Sequence, residues 1–240
     1  MTDDLQYLLD LTNKARTYPF KQTKNTALIS ARALYAVIIS MIKVSIESLL
    51  NQEILSACIL TSSIIEAEIQ FLWMCENLLI RGKNYFDFGW IEQIRSLEFH
   101  PDWKEKLLKQ LETSNCKRFL KNKLKNNTDI DILNRKNYVD FWYQQEQNNL
   151  KLKDLSKETF EIILKNNNYN YDIDILYENY QTFCIFKHLS PFTTLHVFNG
   201  TQSLKETKNT NYIDTVAGIC KEIIINSTNK LDIQEKVIND

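Results

Sequence analysis

The chain has 240 residues, 44% of them hydrophobic and 25% charged, with a formal net charge of -1, three histidines, four glycines and three prolines. That balance supports a sizeable core and excludes a surface that is one continuous nucleic-acid footprint; the scarcity of Gly and Pro disfavours a turn-rich β-sandwich and favours long helices. Five cysteines (Cys58, Cys75, Cys116, Cys184, Cys220) are odd in number, widely spaced and without a C-x-x-C pair, so they suit buried reduced thiols rather than a disulfide framework or zinc ribbon.

Thr2 caps a first helix over about 3–16, with Asp3 and Asp4 complementing its dipole, and Tyr18-Pro19-Phe20 ends it. The acidic start Met1-Thr2-Asp3-Asp4 is not that of a secretory signal. A long helix follows from about Asn25 to Leu50, with Leu28, Tyr35, Ile42 and Leu49 at heptad spacing. Asn51-Gln52 offers a break that no Gly or Pro enforces. The next helix is expected from Glu53 to Arg81, stopped by Gly82, with Cys58, Ile65, Leu72 and Leu79 in register. The short connection predicts an antiparallel hairpin of these two helices as the spine of the fold. Their uninterrupted apolar runs, Ala33–Ile42 and Ile54–Ile65, fall short of the roughly 20 residues a spanning helix needs. A cytoplasmic protein without a membrane partner is therefore expected.

Further helices are expected over about Asn84–Phe99, Asp102–Lys125, Tyr138–Gln147 and Lys157–Lys165 (capped by Ser156), then from Asp172 or Asp174 to His188. Ser190-Pro191 restarts a short helix, Gly200–Asn211 reads as a flexible loop, and a last helix over Tyr212–Asn226 is followed by a frayed tail. The predicted fold is all-α: one domain over 1–240, a multi-helix bundle with its core at about 25–226.

Three places carry candidate chemistry. Glu66 shares a helix face with Ser62, Gln70 and Trp73. A carboxylate on so apolar a helix needs a partner or a proton, and Arg32, about one turn away across the hairpin, is the expected structural partner. His188 closes an aromatic helix containing Tyr180 and Cys184, with Ser190 two residues on. It can act as acid or base, or it can simply cap the helix. Arg95 and His100 have R-x4-H spacing, which resembles the motif of the HEPN ribonucleases. There an Arg would stabilise phosphate charge and a His would move a proton. Between Lys104 and Lys125, Lys117, Lys121 and Lys125 form a basic stripe that suits RNA or an acidic partner, or serves as a solvated face.

Leu60-Thr61-Ser62-Ser63-Ile64-Ile65-Glu66-Ala67, taken with Tyr180-x-x-x-Cys184-x-x-x-His188, resembles the bacterial "domain of unknown function 5677" family. The match rests on Glu66, Tyr180, His188 and Ser190. Ser62 stands where that family has Arg, and Cys184 where Ser is common. The resemblance implies a helical bacterial protein of the kind found as accessories in stress, defence or toxin settings, with no agreed activity. Nucleotide-binding Gly loops, H-E-x-x-H and G-x-S-x-G are missing, so no cofactor or metal is implied. Two readings stay open: an accessory binding module for a protein or RNA partner, and a metal-independent ribonuclease using His188 with Glu66, Tyr180 and Ser190, or Arg95 with His100. A homodimer suits the second only if its cleft holds those residues.

Overall fold

The computed structural model describes residues 2–96, 105, 141–147, 149–166, 173–187 and 210–239. All regular structure among them is helical: α1 (Thr2–Arg16), α2 (Thr26–Leu50), α3 (Ile54–Glu76), α4 (Leu78–Ser96), a 3-10 turn (Trp142–Gln145), α5 (Leu152–Asn166), α6 (Ile173–Lys187) and α7 (Thr210–Asn239). The expected all-α fold is what forms.

α2 starts where Asn25 turns its side-chain oxygen onto the free N–H groups of Ala27 and Leu28. It ends in a Schellman turn, in which the Glu53 N–H donates to the Ser48 carbonyl and the Gln52 N–H to that of Leu49. Gln52 takes the left-handed conformation (φ 64°) at the position that usually holds glycine. α3 then runs back along α2. Ser45 reaches the Ala57 carbonyl near the turn, and the Tyr35 and Phe71 rings meet further down, 6.5 Å apart.

α3 is the centre of the bundle. From Ala57 to Glu76 none of its residues is exposed. α2 and α7 cover one side of it, and α5 and α6 cover the other. Trp73, Tyr35, Phe71 and Phe183 are the largest side chains fully removed from water, each burial contributing roughly 2–3 kcal/mol of transfer free energy. By length and composition alone, α2 and α3 could each cross a membrane. The expectation from uninterrupted apolar runs understates both helices, because Arg, Ser, Thr and Glu residues lie within them. In this bundle at least half of each apolar window is buried against other helices.

Four features differ from expectation. α3 stops at Glu76, because Asn77 leaves helical geometry (φ -142°, ψ 61°), and α4 passes straight through Gly82. Gly82 is there for close packing on α2: a Cβ would lie 2.8 Å from the Ala27 carbonyl oxygen and 2.9 Å from its Cα. Ser156 does not cap α5 but lies buried within it, while the Lys151 N–H at the helix start donates to the Asp154 carboxylate. The expected frayed tail is instead the second half of α7, an unbroken helix of 30 residues. The aromatic segment expected as a helix over 138–147 is, where described, the single turn Trp142–Gln145.

Candidate functional site on the α3–α6 face

On α3, residues 66, 70 and 73 fall along one side, and residues 68 and 75 fall on the opposite side. The structure uses both sides, with different partners.

The first side faces α5, α6 and the 3-10 turn. Here Glu66 accepts an ion-paired hydrogen bond from Lys187 Nζ at 3.3 Å, both side chains being about a third exposed. Tyr180, two helical turns earlier on α6, lies beside the Cys184 side chain. Its hydroxyl holds its proton well above the ordinary range, first through burial, then through the neighbouring Cys184 and the Glu66 charge. Tyr143 is pushed up to about 12 by burial and by the same Glu66 charge. Phe141, half-exposed, stacks flat on Tyr143 with ring centroids 5.3 Å apart. Glu66, Tyr180, Cys184, Lys187 and Tyr143 therefore meet on one surface. Two of the sequence candidates, Glu66 and Tyr180, are among them, brought together from 114 residues apart by the packing of α6 on α3.

The expected Arg32–Glu66 pair does not form. Arg32 lies beyond the level of Glu66, since Ser45 meets Ala57 and Tyr35 meets Phe71 along the hairpin, and it points around α2 toward α7. There its Nε and Nη2 donate to both oxygens of Glu235, at 2.6 and 2.7 Å, and Nη1 donates to the Lys21 carbonyl. Neither the register of the two helices nor their rotation about their axes is fixed by heptad counting along one chain. Ser62, on the Glu66 face as expected, is fully buried and donates to the Ile59 carbonyl.

One turn below lies a node the sequence reading missed. Arg81, 5% exposed, lies over the Trp73 ring at 3.7 Å and donates to the Trp73 carbonyl, to both oxygens of Glu146 and to Glu158. Trp73 Nε1 donates to the other oxygen of Glu158, and Trp142 Nε1 donates to Gln70. The node ties α3, α4, α5 and the 3-10 turn together. Its only trace in the sequence is that Gln70 and Trp73 share the Glu66 face; Arg81 is invisible because it lies beyond the unexpected break at Asn77.

The opposite side of α3 carries Glu68, which is fully buried. Ser227 Oγ donates to one of its oxygens at 2.6 Å, and the other oxygen has no partner. Burial pushes its carboxyl up to about 8, with the Ser227 bond opposing. Cys58 and Cys220 are buried free thiols pushed up to about 12. Burial also moves Cys75 upward, and Cys184 is partly accessible. Unreactive core thiols are what burial of this kind produces.

His188, Ser190, His100, Lys117, Lys121 and Lys125 lie outside the described residues. Arg95 belongs to α4, and His188 follows directly on the last described residue of α6, Lys187. No group of three or more His, Cys, Asp or Glu side chains that could hold a metal ion occurs among the described residues. No protein-family model, curated protein or solved structure matches the chain.

Proposed function

We propose that the chain is a helical binding module acting in a bacterial cytoplasm, an accessory of a stress, defence or toxin-like system, and that it contacts a protein partner through the α3–α6 face. The observation that carries this reading is the makeup of that face. Half-exposed Phe141 stacks on Tyr143, beside the Glu66–Lys187 pair and Tyr180. Stacked aromatics bordered by a charged pair are the composition of protein interfaces. The charged groups there are also engaged with one another: Lys187 neutralises Glu66. An acid–base pair waiting for a substrate would need one of them free. The resemblance to the "domain of unknown function 5677" family belongs to this proposal and supplies the bacterial setting.

The competing reading is a metal-independent ribonuclease. Glu66 and Tyr180 lie together beside the helix that leads into His188, which favours it over any other chemistry. Cells expressing the wild-type chain, His188→Ala and His100→Ala separate the two. Intact RNA in all three, with a protein that co-purifies with the wild type and is lost in a folded Phe141→Ala/Lys187→Glu variant, supports the binding module. RNA degradation abolished by either histidine substitution makes the chain a nuclease.

A further inference from the structure

α7 is one helix held in two ways. Its first half is apolar: Ile213, Val216, Cys220, Ile223 and Ile224 are buried at helical spacing. From residue 227 onward the attachment is mostly polar, with Leu231 as its buried apolar residue. Ser227 bonds Glu68, Thr228 bonds Tyr35, and Lys230 pairs with Glu76. Asp232 accepts from Tyr18, Gln234 donates to the Cys75 carbonyl, and Glu235 pairs with Arg32. Six polar connections reach α2, α3 and Tyr18, just beyond α1, from nine residues.

At the junction sits a polar mismatch. Glu68 has one bond, from Ser227, and a second oxygen with none; beside it in sequence, the buried Asn226 Nδ2 is also without a partner. The cation on this side, Lys230, is bonded to Glu76, and Arg32 is bonded to Glu235. A neutral carboxylic acid is tolerable in such a place, but an ionised one needs water or a cation. Water can reach it if α7 lifts at Ser227.

We infer that residues 227–239 are a clasp that stays closed on α1–α3 while Glu68 carries its proton and opens, separately from the apolar half of α7, when that proton is lost. Opening uncovers Tyr18, Arg32, Tyr35 and Glu76, which α7 otherwise covers. With the carboxyl pushed up to about 8, opening rises as pH climbs toward that value and levels off above it. Ser227 from α7 bonds Glu68 and Cys75 from α3 feels its charge, while the other titratable and charged groups of the clasp are Glu76 from α3, Lys230, Asp232 and Glu235 from α7, Tyr35 and Arg32 from α2, and Tyr18 just beyond α1. Burial moves Tyr18, Tyr35 and Cys75 upward, away from that range.

Hydrogen exchange of the full chain, corrected for intrinsic rate and read by segment at pH 6.5 and 9, tests this. Protection of 227–239 is expected to fall at least fivefold between pH 6.5 and 9, opening rising by up to about tenfold per pH unit below pH 8 and levelling off above it, while 213–224 is unchanged. Glu68→Gln, and Glu68→Met should the first misfold, remove the pH dependence. Equal loss over both halves of α7, no loss at all, or a pH dependence that survives in a folded Glu68 variant overturns the inference.

Discussion

Arg32 and Glu235 form a two-pronged pair between α2 and the end of α7, with both side chains only 11% exposed. A guanidinium and carboxylate in this geometry exchange two charge-assisted hydrogen bonds. The pair has been taken largely out of water, so losing one partner strands the other. Glu235→Met should cost about 3 kcal/mol in chemical denaturation. The double variant Arg32→Met/Glu235→Met should cost clearly less than the sum of the singles, because two apolar chains suit the same space. Additive losses would mean that the two side chains act independently.

Gln52 is a residue in a glycine's place. The Schellman turn after α2 requires the left-handed region there, and a Cβ in that region costs roughly 1 kcal/mol. Gln52→Gly should therefore stabilise the chain by up to about 1 kcal/mol, measured as a raised denaturation midpoint at unchanged slope. A destabilised variant would show that the Gln52 side chain contributes more than its backbone strain costs.

That position also marks how far the sequence could be read. The hairpin was legible because α2 and α3 carry long apolar stripes and Asn25 is a good cap, both local signals. The break at Asn77 was not, because the segment around it stays apolar on both sides and Gly82 beyond it resembles a terminator. Whether a glycine ends a helix or lets two helices touch depends on Ala27, fifty-five residues earlier. The second half of α7 was illegible for a related reason. Ser227, Thr228 and Asn229 are poor helix formers alone, and their hold comes from Glu68 and Tyr35 on other helices. At the candidate site the faces of α3 were read correctly, which grouped Glu66, Gln70 and Trp73. Their partners were not, because Lys187, Trp142 and Glu158 arrive through tertiary packing.

Gly82→Ala puts a methyl group within 3 Å of the Ala27 backbone. Ala is the better helix former by about 1 kcal/mol, so propensity alone predicts a gain. The contact is with backbone, which cannot rotate aside, and overpacking of this kind costs about 1–3 kcal/mol. The expected net result is a loss of about 1 kcal/mol or more. A stabilised Gly82→Ala would mean that α4 shifts away from α2 at little cost.

Arg81→Lys keeps the charge and removes the geometry. A lysine cannot bond Glu146, Glu158 and the Trp73 carbonyl together, nor lie flat over the Trp73 ring. Glu146 and Glu158 are each more than a third exposed, so the ion pairs themselves contribute modestly. The stacking and the buried carbonyl bond dominate, and a loss of about 2 kcal/mol is expected. Trp73 fluorescence should shift to the red as water reaches the ring. An unshifted spectrum with wild-type stability would reduce the node to a surface decoration.

The strongest pH signature should come from Glu68. The unfolded chain releases that proton near 4.5 and the folded chain near 8. Between those values the folded state holds the extra proton, so this group makes stability fall as pH rises, by at most about 1.4 kcal/mol per pH unit. Below 4.5 both states are protonated, and above 8 both have lost the proton, so its contribution levels off. Other carboxylates add their own slopes, and Glu68→Gln isolates this one. The variant should be close to wild type in stability near pH 5 and gain on it steadily toward pH 8. Denaturation midpoints collected across that range should therefore diverge in favour of Gln. Parallel curves would mean that Glu68 is ionised at neutral pH and has a cationic partner or water in place of its unpaired oxygen.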